Sequence, residues 1–511
     1  MTFLRPFKMM RRLCKEAKGS FTIYASLSCM FLVAIIVTFF GMAREYQMQS
    51  ILQMNSDVIT ESIFADYERP LWKDYHILGA RVDCIEGEID FKEQEIAAQS
   101  YSRAALHPIP TFISDAWSLY CASLKNTDFV HYRLLTDQEG QVFTRMAAGV
   151  MARKYGVEEL WSVEEKTKEF PELLKGCEEG ETYYQKACEV LENLTNEKGE
   201  DVSVSVEDTP VGDRVSCEEA GFLGLVVENP QTLSYKAVEL ENAPSHRQYA
   251  VGKSLTSAIE PVYEVDNQCL DSLLMRLYCK EHFQGYEYDS TMETDQNQIL
   301  DYELEYLIHG LDTDKENLKG VVKELFVIRE MANYGYLQTD TAKMAQAYGI
   351  ATTLGAASGN PLVVEAIKQG ILIAWASAEA LLDVRGLLAG KKIPMWKTSD
   401  TWTSDLSCIG QYKTSFVTAK ESEMGLTYEQ YLVGLLYTKS DKVISERALD
   451  LIEGNIRLQE GYEEFCVDHI MVEAQIQYTY EYPGILSGLS LRETDHSGKK
   501  VIGNQGYFYM Q

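Results

Sequence analysis

The feature that most constrains this chain is an uncharged run at residues 19–43, which reads GSFTIYASLSCMFLVAIIVTFFGMA. An α-helix rises about 1.5 Å per residue, so roughly 20 apolar residues cross the ~30 Å hydrocarbon core of a bilayer. The run is long enough to cross with some tilt, and its hydroxyl side chains can hydrogen-bond within the helix or to a neighbouring one. It therefore predicts a transmembrane helix whose first partner is the lipid bilayer.

Charge is unevenly distributed around this run. Residues 1–44 contain seven basic residues and one acidic residue, whereas the rest of the chain contains 40 basic and 76 acidic residues. The basic residues of the first part precede the run, apart from Arg44, so the positive-inside rule places the N-terminus in the cytoplasm and the bulk of the chain outside. The acidic bulk also argues against nucleic-acid binding, because phosphate contacts need Lys and Arg.

Two other interpretations of the N-terminus stay open at this point. A cleaved secretory signal would have a shorter apolar region, of about 7–15 residues, although Gly41–Ala43 offers the small residues of a cleavage site. The junction between Gly19 and Ser20 resembles a prepilin-type cleavage point, after which the apolar helix would stay in the mature chain. The acidic residue expected five positions after such a cut is missing, since Tyr24 stands there. A retained single-pass anchor is the prediction.

Beyond the anchor, the pattern predicts a helix-rich α+β protein. Apolar pairs recur after Arg44 up to Pro70, which favours one continuous helix that crosses the membrane and continues as a stalk. The predicted divisions are a basic cytoplasmic head at 1–18, a transmembrane helix at 19–43, a stalk helix at 44–69, the first part of an extracytoplasmic α+β region at 70–198, a loop-rich insertion at 199–250 and a helix-rich second part at 251–511.

Periodicity places the individual elements. Alternating patterns predict strands at 76–82, 129–135 and 302–308, and a strand-like C-terminus at 501–511. On the third strand, Glu303 and Glu305 are expected on the solvated face. Segment 199–216 is expected to be an exposed loop. Helices are predicted at 136–154, 157–198, 265–283, 312–331, 339–355, from 360 onward, at 428–437 and at 440–479.

The sequence contains few signs of chemistry. It has no HExxH, GxSxG or glycine-rich nucleotide motif and no metal-ligand spacing of Cys or His, so neither a cofactor nor a catalytic residue is predicted. The acidic segment at 312–314 lacks the glycine and glutamate of a calcium loop and is expected to cap a helix. Glu379 and Asp383 share one helix face and are the candidate carboxylate pair. Such a pair could share a proton or hold a cation, but it could also form a salt bridge with Arg385.

Several segments together resemble one family. They read, in chain order, GSFTIYASL, SIFADYERPLWKDYHIL, YRLLTDQEGQVF, LDYELEYLIHGLDTDKENL, REMANYGYL, WASAEALLDVRGLLAGKKIPMWK and RALDLIEGNIRLQEG. They are similar to an uncharacterised family, a domain of unknown function, of single-pass envelope proteins from Gram-positive bacteria. Members of that family tend to be encoded near Tad-type pilus machinery. The resemblance implies a membrane-anchored, outward-facing component of a Tad-like pilus or secretion system, and it carries over no catalytic residue.

Three functions follow from these patterns as hypotheses. The first is a structural or assembly protein that contacts other pilus or secretion-system envelope proteins and can oligomerise through its N-terminal helix. The second is a surface adhesin or ligand-sensing domain. The third is an envelope enzyme with an unrecognised site, for which Glu379 and Asp383 would be the first carboxylates to test.

Overall fold

The computed structural model of the chain describes residues 5–85, 87–106, 122–154, 177–193, 205–214, 221–247, 251–253, 268–288, 298–483 and 497–508. Within these stretches the protein is helix-rich with some strands, and one long apolar N-terminal helix precedes a mixed domain. The predicted α+β class is therefore confirmed.

The α-helices of the described stretches are, in chain order, α1 (Arg5–Ala65), α2 (Arg69–Tyr75), α3 (Lys92–Leu106), α4 (Gln141–Lys154), α5 (Cys177–Glu192), α6 (Phe222–Val226), α7 (Gln268–His282), α8 (Glu303–His309), α9 (Asp314–Thr339), α10 (Thr341–Gly355), α11 (Pro361–Leu388), α12 (Tyr428–Leu436) and α13 (Asp441–Arg457). The strands are β1 (Ala80–Arg81), β2 (Asp83–Ile85), β3 (Glu88–Asp90), β4 (Ser123–Leu134), β5 (Ile470–Pro483) and β6 (Ser497–Phe508).

From residue 21 to residue 65, helix α1 has an exposed segment followed by a segment with one buried face. Residues 21–40 are exposed throughout, and the window of this helix that is apolar enough to cross a membrane has none of its residues buried inside the protein. Farther along the helix one face is buried, with members three, four or seven positions apart, the spacing of a single helix face. They are Met48, Leu52, Asn55, Ser56, Ile59 and Ile63. The segment predicted as a stalk is therefore packed into the domain.

Strand β5 is the centre of the main sheet. It pairs antiparallel with β4 along one edge, and with β1 and β6 along the other. Strands β2 and β3 form a separate two-stranded hairpin. The predicted strand at 129–135 lies in β4 and the strand-like C-terminus lies in β6, whereas the segment 76–82 contributes only the two residues of β1.

Three alternate tyrosines of β5 hold α1 against the sheet, and we call them the tyrosine ladder (Tyr478, Tyr480 and Tyr482). Alternate residues of a strand point to one face. The hydroxyl of Tyr478 lies 2.7 Å from Thr60 Oγ1, and that of Tyr480 donates to Asn55 Oδ1 at 2.8 Å. Tyr482 donates to Glu45 Oε1 at 2.7 Å, two residues after the uncharged run ends. Strand β5 thus runs back along α1 toward the apolar segment.

Helices α9 and α11 form the second part of the core. Asn360 caps α11 by accepting a hydrogen bond from the N–H of Leu362 at 3.0 Å, and Pro361 occupies the first turn. From residue 370 to residue 388 every residue of α11 is buried. Thr313 caps α9, so the acidic segment at 312–314 is a helix start, as expected.

The predicted strand at 302–308 is wrong, because the segment forms helix α8. Leu304 and Ile308 fit one face of an alternating strand but Leu307 does not, whereas all three, spaced three and four apart, fit one face of a helix. The helix ends at Gly310, which has a φ of 65°, a conformation that favours glycine. Glu303 and Glu305, predicted to be solvated, are fully buried.

Two predicted helix boundaries are also wrong. Helix α4 begins at Gln141 and not at residue 136, because the preceding turn has three consecutive residues with positive φ, at 57°, 58° and 80° for Gln138, Glu139 and Gly140. The helix predicted at 440–479 ends at Arg457, and its second part contains the central strand β5. The alternating Tyr478, Tyr480 and Tyr482 belong to a half-buried strand and cannot form one face of a helix.

The segment predicted as an exposed loop is only partly described. Of residues 199–216, the stretch 205–214 contains a short 3₁₀ turn, and Val211 is fully buried against α11 at Gly370. The expectation of exposure is therefore wrong at Val211. Of the helix predicted at 157–198, residues 177–192 form α5, whereas residues 155–176 lie outside the described residues.

We expect Leu52→Ala to reduce the free energy of unfolding by about 2–5 kcal/mol, because Leu52 is fully buried in the contact between α1 and the sheet. Urea unfolding of the detergent-solubilised full chain, followed by circular dichroism, measures the change. The matched control is Met54→Ala on the exposed face of the same helix, which should change stability by less than about 0.5 kcal/mol. Equal losses in the two variants would show that α1 does not pack on the domain.

Candidate functional sites

The candidate carboxylates Glu379 and Asp383 lie on α11 in a cluster of buried ion pairs. Lys397 Nζ lies 2.7 Å from Glu379 Oε1 and 2.6 Å from Asp383 Oδ1. Arg329 of α9 contributes the second cation, with its Nη2 2.9 Å from Asp383 Oδ2. All four side chains are buried. We call Arg329, Glu379, Asp383 and Lys397 the ion-pair cluster.

Further hydrogen bonds reach the ion-pair cluster, although Asp383 Oδ1 has only its ion-pair contact with Lys397. The backbone N–H groups of Thr403 and Ser404 donate to Glu379, at 3.0 and 2.6 Å, and Asn333 Nδ2 donates to Asp383 Oδ2 at 2.9 Å. Arg329 donates to the hydroxyl of Tyr431 at 3.1 Å. Two carboxylates thus face two cations away from solvent, an arrangement in which an unpaired charge would be costly. The cluster joins α9 to α11, and the side chains of both carboxylates are fully buried.

The expected partner of this pair, Arg385, is not in the ion-pair cluster. Its guanidinium donates to the backbone carbonyls of Leu225 and Ser415, at 2.6 and 2.8 Å. Burial lowers the pKa of Arg385 to about 10, because the charged form loses water. Residues 383 and 385 are two apart on a helix, and such residues do not face each other.

A second group of buried acids was missed by the sequence patterns. Glu303 accepts hydrogen bonds from Asn455 Nδ2 at 2.6 Å and from the N–H of Gln284 at 3.0 Å. Glu305 accepts from the N–H of Tyr286 at 2.9 Å and from the hydroxyl of Tyr428 at 2.8 Å. No Lys or Arg of the described residues lies within ion-pair distance of either carboxyl group.

Desolvation raises the pKa of Glu303 and of Glu305 to about 7. Oε2 of Glu305 is buried and has no hydrogen-bond partner among the described residues. A protonated carboxyl group suits such a site better than a charged one, since an isolated charge is costly to bury. The only sequence signal was that two acids interrupt an otherwise apolar segment.

One group has metal-ligand residue types but does not fit a metal. Ligand atoms of Cys466, Asp468 and His469 lie within 4.8 Å of one another. Arg457 donates to Cys466 Sγ at 3.2 Å, and Arg247 forms an ion pair with Asp468. Two cationic side chains thus already occupy the ligands that a metal ion would need.

The possible processing junction lies inside α1. Gly19 and Ser20 belong to the helix, although their side chains are outside the described residues. The helix continues without a break through this point and on to Ala65. A cut at the junction would therefore leave the apolar span joined to its packed second half.

We expect Lys397→Met to reduce the free energy of unfolding by about 3–5 kcal/mol, because it leaves Glu379 and Asp383 short of a buried cation. Urea unfolding at pH 7.5 measures the loss. Lys392→Met, at an exposed position in the same segment, is the control and should be nearly neutral. A loss no larger than that of the control would show that the ion-pair cluster does not contribute to stability.

We expect Glu305→Gln to become increasingly stabilising, relative to the unchanged chain, as pH rises. The folded pKa of about 7 exceeds the ordinary value of 4.5, so the folded protein binds more protons between these values. The stability that Glu305 contributes to the folded protein is therefore fully present below pH 4.5 and is lost as pH rises through 7. Glutamine does not ionise, so its contribution does not change with pH. The difference in unfolding free energy between pH 4.5 and pH 8 should be on the order of 1–3 kcal/mol.

Unfolding curves at several pH values measure this difference. Glu460→Gln is the control, because Glu460 is exposed. Parallel pH profiles for Glu305→Gln and the unchanged chain would contradict the raised pKa.

Comparison with known proteins identifies a family. The model of a family of unknown function, DUF5702, matches residues 200–482, a stretch that contains the ion-pair cluster, both buried glutamates and almost all of β5. No curated protein and no solved structure matches the chain. Because the family model covers more than half of the sequence, the chain belongs to the DUF5702 family of unknown function.

Proposed function

We propose that this protein is a single-pass, membrane-anchored structural or assembly protein of the cell envelope of a Gram-positive bacterium, and that it works with a Tad-like pilus or secretion system. The observation that carries the proposal is the division of α1 into an exposed apolar half and a half that packs on the sheet. An exposed apolar helix of this length fits a bilayer and is unfavourable in water.

Retention of the span is supported by the continuity of α1. The apolar segment passes directly into the buried face that starts at Met48, with no intervening turn. A secretory signal would have to be cut inside this helix, near Gly41–Ala43. The proposed orientation, with the N-terminus in the cytoplasm and the bulk extracellular, rests on the basic residues that precede the span.

A structural role is supported by the way the domain meets its anchor. Tyr482 bonds to Glu45 directly after the span, so no free stalk separates the domain from the proposed membrane surface. A lateral contact between anchors would then be transmitted to the domain, and oligomers could form through the N-terminal helix. The ion-pair cluster does not favour the envelope-enzyme alternative, because Glu379 and Asp383 are paired and enclosed.

The association with Tad-like machinery is supported by the resemblance of the chain segments to envelope proteins encoded near such pili. The proposed partners are accordingly other envelope proteins of the pilus or secretion system. Neither a nucleic acid nor a cofactor belongs to the proposal, in keeping with the acidic balance of residues 45–511.

We expect tagged full-length protein, cross-linked in intact membranes of its own host, to be recovered together with Tad-type pilus components. The control is a fragment of residues 44–511, secreted with a cleavable signal, which keeps the packed half of α1 and lacks the span. Recovery of the components should fall at least tenfold with this fragment. Recovery of the full-length protein alone would overturn the assembly proposal.

The N-terminal residue and the intact mass of the membrane-extracted protein complete this experiment. A start at Met1 supports the retained anchor, and a start at Ser20 supports pilin-like processing of a chain that keeps its anchor. A start near Arg44 would mean that the protein is secreted, which would overturn the anchor.

A further inference from the structure

A cleft of about 520 Å³ lies where the end of α1 meets β1, β2 and α3. Its volume falls in the range of small-molecule sites, about 300–1,000 Å³. Tyr67, Tyr101 and Tyr462 line it and offer flat apolar faces with polar tips. The cleft is distant in sequence from the ion-pair cluster and lies outside the segment that matches the family, apart from Tyr462.

The cleft is lined by charged side chains of both signs, and Glu68 and Arg81 among them interact electrostatically. Its carboxylates are Asp66, Glu68, Asp83 and Glu93, and its guanidinium groups are Arg69 and Arg81. None of the six forms an ion pair within 4 Å with any other described residue. The cleft thus presents four negative and two positive groups, and its net charge favours a cationic ligand.

A polar amide in the cleft lacks its partner. Nε2 of Gln94 donates to the backbone carbonyl of Arg81 at 2.8 Å, which fixes the orientation of the amide. Its Oε1 is buried and accepts no hydrogen bond from the described residues. An acceptor left in this state costs roughly 1–3 kcal/mol.

Hydrogen bonds hold the backbone of the cleft in place around Glu68. Tyr67 forms an antiparallel bridge with Ala80, and the N–H of Glu68 donates to the carbonyl of Gly79 at 2.9 Å. Gly79 has no room for a side chain, because a Cβ there would clash with the side chain of Ile470 in β5. The cleft is thereby attached to the central strand, and a site that is formed in advance loses less entropy when it binds.

We propose that this cleft binds the end of a short cationic peptide, with ammonium groups beside the carboxylates and a free carboxylate on an arginine. Peptide ammonium groups pair with the acids, and the tyrosines cover the apolar parts of the peptide. A phosphate ligand would meet more negative than positive groups and is disfavoured. The inference does not depend on the proposed pilus association.

The test is isothermal titration of the full-length protein, in detergent micelles, with Ala-Lys-Ala and with Ala-Glu-Ala. We expect Ala-Lys-Ala to bind at least tenfold more tightly than Ala-Glu-Ala. Amidation of the terminal carboxyl of Ala-Lys-Ala should weaken its binding about tenfold. Equal affinities for the two peptides, or no saturable binding of Ala-Lys-Ala below about 10 mM, would overturn the proposal.

Two variants test which cleft residue contacts the ammonium groups of the peptide and which contacts its terminal carboxylate. Glu68→Gln should remove most of the preference for Ala-Lys-Ala over Ala-Glu-Ala, whereas Arg81→Gln should remove most of the effect of amidation. The controls are Glu61→Gln and Arg103→Gln, exposed changes of the same kind on α1 and α3 outside the cleft. The same change in affinity for a control variant would show that overall charge, and not the cleft, selects the peptide. Thermal unfolding of each variant verifies that it is folded.

Discussion

The contact between the second half of α1 and strand β5 is the constraint on which the rest of the domain depends. It joins Glu45 to Tyr482, which are 437 residues apart in the sequence. Strand β5 is also the strand on which β1, β4 and β6 assemble. Because loop closure over such a distance costs entropy before any contact repays it, the sheet is complete only when nearly the whole chain is available. The apolar face of α1 supplies the burial that offsets this cost.

The buried acidic residues of the domain have a different role from the one that their residue types suggest. Carboxylates close together often mark acid–base chemistry or a bound cation. Here Arg329 and Lys397 neutralise Glu379 and Asp383 within the protein, and the group fixes how α9 meets α11. Among the described residues no Lys or Arg forms an ion pair with Glu303 or Glu305, and desolvation raises the pKa of each to about 7. Pairing with a buried cation and protonation of the carboxyl group both keep isolated charge out of the core.

Local signals predicted some of these elements well and others badly. Asn360 and Pro361 identify the start of α11 because a cap acts within a single turn. The alternation from Tyr302 to Ile308 predicts a strand, because seven residues can fit both the strand period and the helix period. The structure resolves this segment as a helix whose glutamates bond to the loop around Gln284. The shared face of Glu379 and Asp383 could be predicted from their spacing, but their cations could not, since Arg329 belongs to another helix.

By itself, the sequence determined the apolar span, its basic flank and the class of the fold. Such features depend on local composition, because a helix enters lipid according to the residues it contains. Only the tertiary structure decided that the continuation of this helix is packed. The face from Met48 to Ile63 suits a free amphipathic stalk as well as a buried helix, and its partner strand lies more than 400 residues away. Burial depends on which distant surfaces meet, and no local pattern contains that information.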